Sequence, residues 1–401
     1  MTQPAAPGRL PTAPSVFLLG LLATSSPLSL SMHVPTIPKI AAALDTDYAT
    51  VQLTVSIYLL CFAVSQLFVG PLSDRLGRRP VLFGGLSLYI IAGVAAAFAP
   101  SIEVLIGARI LQACGGCAAI VVPRAVVQDT HHGAEAARMM AFVAMLQSTA
   151  PSAAPIIGGA LDALIGWRAT FGFLAMYGAV LMTIAAFRLQ ETRPLGADGR
   201  VATWGEIFSR YGRLLRSRRY IGYTVAFAFG TSGFFGFLAV GPGYLIDEIG
   251  LTIFEFSLAL MSVTVQFVIG SFVASRLVIR FGIDRTLAIG AALQIAAAAA
   301  LLLLTLTPTR SVAALLVPMW FYAFSNGFIF PNAMAGATGV DRRIAGAAAS
   351  FLGFVQLGIG SILAGSIGSL PPTSAIPLGV ALMIFALMAA FGMVLVRLSP
   401  P

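Results

Sequence analysis

The side chains best able to do chemistry in this chain are charged or titratable groups set into apolar surroundings. Asp74 stands with Arg75, Arg78 and Arg79 in the segment Gly70-Pro71-Leu72-Ser73-Asp74-Arg75-Leu76-Gly77-Arg78-Arg79-Pro80. One carboxylate among three guanidiniums can form a charge network, and the flanking Gly and Pro residues mark a turn between two apolar runs. Arg109 lies within an apolar run, the only arginine clearly so placed, and Gln112 three residues on shares its helix face. An ionisable group there is costly and signals function, unless it snorkels to the nearer membrane surface. His33 is the one side chain within the apolar runs that titrates near neutral pH, so it can carry a proton or simply contact substrate or water at the outer mouth. No Asp or Glu lies deep in any run, and the nearest acids, Glu103 and Asp162, sit at run ends. His131 and His132 fall in a connection and read as surface residues. Cys114 and Cys117 form C-x-x-C but lack a second pair for zinc, so with Cys61 they read as small packing residues rather than a metal site or disulfide framework.

The elements that position these groups are dictated by composition. Of 401 residues, 58% are hydrophobic and only 10% charged, against about 25% charged in an ordinary soluble domain. Such a chain cannot cover a water-exposed surface, so its solvent is lipid. The net charge of +9 would suit nucleic acid, but the basic residues lie in short connections beside apolar runs, where they encode topology. No nucleic-acid partner is expected. About twelve runs are long enough for a bilayer, at 16–38, 51–72, 80–98, 102–124, 138–161, 167–188, 220–243, 253–276, 285–306, 311–334, 343–367 and 375–397. Helices are the expected spanning form, because every backbone polar group must be satisfied inside lipid. The amino-terminal 1–15 reads as a polar tail before an uncleaved first helix.

Arginine placement gives the orientation. Arg75, Arg78, Arg79, Arg138, Arg276, Arg280, Arg285, Arg342, Arg343 and Arg397 fall on one side, opposite only Lys39, Arg168 and Arg310. Both termini are therefore expected in the cytoplasm. A basic cytoplasmic linker, 189–219, divides a six-helix bundle at 16–188 from another at 220–397, followed by a short tail at 398–401. Trp204 to Leu215 within the linker either forms an amphipathic helix on the membrane surface or is plain linker. Arg280-Phe281-Gly282 echoes Arg75-Leu76-Gly77 in the corresponding connection. Repeated halves suggest a transporter with its site at the midplane between them.

Gly70 to Pro80 resembles the signature loop between helices two and three of the major facilitator superfamily. Arg109 through Gly116 resembles its helix-four motif, and Pro155-Ile156-Ile157-Gly158-Gly159 the helix-five motif of drug antiporters. Gly166-Trp167-Arg168, Glu191-Thr192-Arg193, Phe330-Pro331-Asn332 and Ala345 through Gln356 resemble the Bcr/CflA-type drug-resistance branch. The resemblance implies an all-α polytopic membrane protein of two pseudo-symmetric six-helix bundles. It implies a bacterial-type inner-membrane exporter of small amphipathic molecules, monomeric, without bound cofactor and driven by a proton gradient. Gly70, Asp74, Arg75, Gly77, Arg78 and Arg79 then form a conformational latch joining the cytoplasmic ends of the halves, although the arginines alone would also serve topology. Pro155, Gly158 and Gly159 form a kinked contact suited to export, or close packing alone. The branch carries an Asp in helix one where Ser31 stands, and an aromatic where His33 stands. Proton coupling therefore falls to His33 and Arg109.

Candidates for the substrate cavity, by motif position and polarity, are His33, Tyr58, Arg109, Gln112, Gln147, Phe235, Tyr322, Asn326 and Gln356. Interhelical hydrogen bonding would equally explain the amides, and packing the aromatics. Without a buried carboxylate, neutral or anionic substrates are favoured over cations. An importer or facilitated carrier would use the same fold. A membrane enzyme would need an acid–base cluster that the arginine-rich connections lack, and a non-transporting sensor would carry a soluble domain.

Overall fold

The computed structural model describes residues 15–131, 133–192, 204–307, 311–341, 344–368, 370 and 374–399, and among these no strand occurs. The expected tail at 1–14, residues 193–203 of the expected linker, His132, Arg310, Arg342 and Arg343 lie outside the described residues. Helix α1 (Val16–Ser31) passes through a tight turn at Val34–Thr36 into α2 (Ile37–Ala43). Then follow α3 (Tyr48–Leu76), α4 (Arg78–Ala97), α5 (Ile102–Thr130), α6 (Gly133–Leu164) and α7 (Arg168–Arg188). The second half begins with α8 (Trp204–Leu214) and α9 (Arg218–Pro242), which ends in a wide π-type turn at Gly243–Glu248. It continues with α10 (Ile253–Leu306), α11 (Val312–Val340), α12 (Ala345–Gly368) and α13 (Ile376–Arg397).

Among the described residues, ten helical segments are long and apolar enough to cross a membrane. At 54 residues, α10 would measure about 80 Å if straight, far more than one bilayer. It turns at Gly282, whose φ of 77° only glycine adopts freely, and so supplies two spans. With the 32-residue α6 the spans number twelve. Gly77 makes the matching turn between α3 and α4 with φ 95°, so the echo between the two sequence segments is also an echo of backbone geometry. The segment Gly70 to Pro80 is therefore not the loop the sequence suggested. It is two helix ends meeting at one glycine. Helix α3 continues through Pro71 because lipid leaves backbone groups no alternative partner than the helix. The Leu67 carbonyl, which Pro71 has no N–H to serve, accepts the Tyr211 hydroxyl of α8 at 3.4 Å. Tyr211 also packs on Phe351 of α12, ring centroids 5.8 Å apart. The linker segment is thus helical, and it sits across the seam between α3 and α12.

Local signals set several helix starts. Asp47 caps α3, accepting from the Thr50 N–H at 2.6 Å, and these hydrogen bonds hold its carboxyl below the usual carboxylate range. Thr252 and Glu255 form a capping box at the start of α10.

Helix α1 packs on α5, α6 and α7, and α4 on α5 and α7. In the second half α9 packs on α11, α12 and α13, and α10 on α11 and α13. Between the halves, α3 lies along α12 and α6 meets α10. At the end of the molecule that holds Trp167, one apolar core joins both bundles, running from Val51 and Phe171 to Phe256 and Leu378. At the end that holds Gly77 the core divides. One part, around Leu82 and Val126, belongs to the first bundle, and another, around Tyr220 and Ala337, to the second, with Leu67 of α3 packed against the latter.

Candidate functional site

The Gly77 turn gathers a charge network. Arg78 has a nearly buried side chain and pairs with Asp74 at 2.6 Å and Asp129 at 2.9 Å. It also donates to the Ser73 hydroxyl at 2.7 Å. Glu191, just beyond α7, accepts the backbone N–H groups of Arg78 and Arg79, each at 2.9 Å. A carboxylate thereby caps the positive end of α4. Arg79 also donates to the Ala186 carbonyl, and Arg75 lies in the last turn of α3. Gly70 faces Ser350 of α12 across the seam, with room for a methyl group. The described charge contacts of Arg78 and Arg79 all lie within the first bundle. These contacts of Arg78 and Arg79 tie α3, α4, α5 and the end of α7 together. Asp129 and Glu191 are functional neighbours that sequence reasoning assigned no role. At the second turn, Asp284 accepts from Arg219 at 2.9 Å and from the Tyr223 hydroxyl.

A polar centre lies inside the first bundle. Arg109 is fully buried, which rules out snorkelling. Its Nη1 donates to Gln112 Oε1 at 2.7 Å, and its guanidinium lies 4.2 Å from the Tyr58 ring centre and 5.9 Å from that of Phe171. The Tyr58 hydroxyl reaches Ser26 at 3.0 Å. His33 is also fully buried, with Nε2 3.2 Å from the Thr54 hydroxyl and its ring 5.6 Å from Phe171. Phe171 therefore touches both His33 and Arg109. Ser29 and Tyr89 extend the polar chain at 2.6 Å. Four of the candidate residues, His33, Tyr58, Arg109 and Gln112, thus come together from the turn after α1 and from α3 and α5.

The second-half candidates form a separate group. Gln356 of α12 donates to Thr231 of α9 at 2.7 Å, and its carbonyl accepts from Ser232 at 2.8 Å. Phe235 packs against Gly360 on the same pair of helices. Tyr322 and Asn326, one turn apart on α11, are buried with Tyr322 Oη and Asn326 Oδ1 lacking protein partners. Tyr322 packs against Gly233 of α9.

Gln147 joins neither group. It accepts from Arg124 Nη2 at 2.9 Å. Arg124 corrects the expectation that Arg109 is alone: α5 does not end at 124 but runs on to Thr130, placing a second arginine within the helix. The signal was present, since residues 125–127 are apolar again after Pro123 and Arg124. His131 is also a correction: it is buried and bonded to Thr130 at 2.9 Å, not a surface residue.

The helix-five motif lies where α6 meets two partners. Pro155 sits inside the helix. A Cβ on Gly158 would overlap the Met32 carbonyl at the end of α1, and one on Gly159 would press on the Ile253 side chain of α10 at 2.9 Å. Adjacent glycines thus face the first bundle's own α1 and the opposite bundle.

Comparison with known proteins agrees with this architecture. Residues 19–365 match the family model described as Major Facilitator Superfamily. The chain is 32% identical over 364 residues to a chloramphenicol resistance protein of Pseudomonas aeruginosa, covering 90% of this chain and 84% of the relative. It is 27% identical over 364 residues to a bicyclomycin resistance protein homolog of Haemophilus influenzae, covering 90% and 91%. With multidrug resistance protein D of Escherichia coli it shares 29% over 377 residues, 93% of each. A solved bacterial homolog of the human lysosomal transporter Spinster, inward-facing and unoccupied, has the same fold, with TM-score 0.68 at 15% identity over 95% of this chain and 94% of that one. The chain is a multi-pass membrane transporter, not an enzyme, and belongs to the drug-resistance branch of the major facilitator superfamily.

Proposed function

We propose that this transporter exports small amphipathic organic molecules across a bacterial inner membrane by alternating access, as a monomer coupled to protons. The observation that carries the reading is the apolar core, joined at one end of the molecule and divided at the other. Arginine placement supports a cytoplasmic position for the divided, Gly77-bearing end and for both termini. A molecule entering the divided end passes between the bundles toward the polar centre at His33 and Arg109. Relatives named for chloramphenicol, bicyclomycin and multidrug resistance support export as the direction.

His33 is the proton-coupling residue in this scheme. It is the one imidazole within the spans, it is enclosed, and Phe171 links it to Arg109. A proton on His33 would repel the Arg109 cation, so protonation and occupation of the polar centre act on each other. The test is His33→Gln assayed for chloramphenicol efflux from cells lacking their own drug pumps. The expected result is loss of export against a concentration gradient, with downhill exchange retained. Full uphill export by the variant would remove His33 from the coupling role. Net uptake instead of efflux by the wild-type protein would overturn the direction.

A further inference from the structure

The Arg109 guanidinium is fully buried, and no carboxylate lies in salt-bridge contact with it among the described residues. Its described acceptor is a neutral amide oxygen, that of Gln112, while Nε and Nη2 meet none. The Gln112 amide nitrogen and the Ser31 hydroxyl are likewise buried without partners, and the Tyr58 hydroxyl is engaged by Ser26. A buried cation with open donors is unfavourable alone and calls for a negative partner.

The same helix repeats the arrangement. Arg124 donates to the neutral Gln147 amide at 2.9 Å and has no ion-pair partner among the described residues. The nearby acid Asp129 is held by Arg78. Fifteen residues separate Arg124 from Arg109, which on an α-helix is about four turns, roughly 22 Å, and about 60° of rotation. Arg124 lies beside Val122 and Val126, where the bundles have separate cores, and Arg109 beside Ala108 and Ala113, where they share one. A negative group entering from the divided end meets Arg124 first.

We propose that α5 is an anion path, with Arg124 as its entry and Arg109 as its inner station. The ligand is an amphipathic organic anion whose carboxylate, or a comparable monoanionic group, completes the open face of the Arg109 guanidinium. The chain supplies no carboxylate at this place, and the transported molecule brings one. Charge-assisted hydrogen bonds to Nε and Nη2 hold it, with the Tyr58 and Phe171 rings flanking the guanidinium. This deepens the export reading and rests on it only for what moves the ligand.

The test compares an anion with its neutral isostere, salicylate against salicylamide, by thermal unfolding of the whole protein in lipid nanodiscs. The expected result is a preference for salicylate of about tenfold in apparent affinity, or about 1.4 kcal/mol. Arg109→Gln should bring the ratio to about one, and Arg109→Lys, which keeps the charge and guards against a misfolded Gln variant, should retain part of it. Arg124→Gln should weaken salicylate less than Arg109→Gln does. Equal affinity for the two compounds overturns the proposal, as does a salicylate preference that survives Arg109→Gln. Sodium chloride that matches salicylate at equal concentration shows a site for a free small ion and also overturns it. Efflux of neutral chloramphenicol is measured in parallel. If it persists while the charge preference is absent, the anion path fails and the export reading stands. If salicylate preference is present without any efflux, the reverse holds.

Discussion

Replacing Arg78 with alanine is expected to cost about 3 kcal/mol of stability, the lower end of what removing one partner of a buried ion pair costs. The lower end applies because Asp74 is 49% exposed and Asp129 23%, so water screens part of the two orphaned carboxylates. The loss is not only Coulombic. The Arg78 guanidinium also donates to Ser73, whereas the backbone N–H groups that hold Glu191 survive the substitution. One guanidinium at the start of α4 thereby joins the ends of α3 and α5. Thermal unfolding in nanodiscs reads the stability, and transport per folded molecule reads the rest. Arg78→Lys should recover part of the stability, since an ammonium cannot match the guanidinium's several directed donors. A wild-type melting temperature for Arg78→Ala would show that the network is ornamental.

Gly158→Ala is expected to cost about 2 kcal/mol, in the range for overpacking a tight core. The added methyl would run into the Met32 carbonyl, which is backbone and cannot swing aside as a side chain can. Relief requires α1 and α6 to part. Met32 precedes His33, so this displacement also moves the proposed proton carrier, and transport should fall further than stability. Gly159→Ala is the contrasting control. Its methyl meets the Ile253 side chain of the opposite bundle, which can rotate, so stability should change little while transport slows. If both substitutions leave melting and transport unchanged, the close contact of α6 with α1 is not required.

Much of this architecture could be read in the residues. Charge poverty required lipid, and Gly77 and Gly282 marked equivalent turns in the two halves. Arg109 and Gln112 share a helix face by spacing alone, and the structure joins them by a hydrogen bond. What stayed hidden depends on contacts between distant segments. Asp129 is 51 residues from Arg78, and Glu191 is 113, so neither pairing follows from any local pattern. Tyr58 and Phe171 reach Arg109 from other helices, which only the packing of α3, α5 and α7 reveals. Arg124 was lost for a different reason: a proline and a charge usually end a helix in water, whereas in lipid the helix continues through both. The polar candidates also looked like one cavity lining, yet His33, Tyr58, Arg109 and Gln112 gather in the first bundle and Phe235, Tyr322, Asn326 and Gln356 in the second, with Gln147 apart from both, a division set by which helices pack together.

The most direct test is uptake of labelled chloramphenicol by inside-out membrane vesicles containing the protein, energised so that the lumen is acidic. The account predicts accumulation above the external concentration, collapsing when the proton gradient is discharged. Equilibration to equal concentrations regardless of the gradient would contradict it.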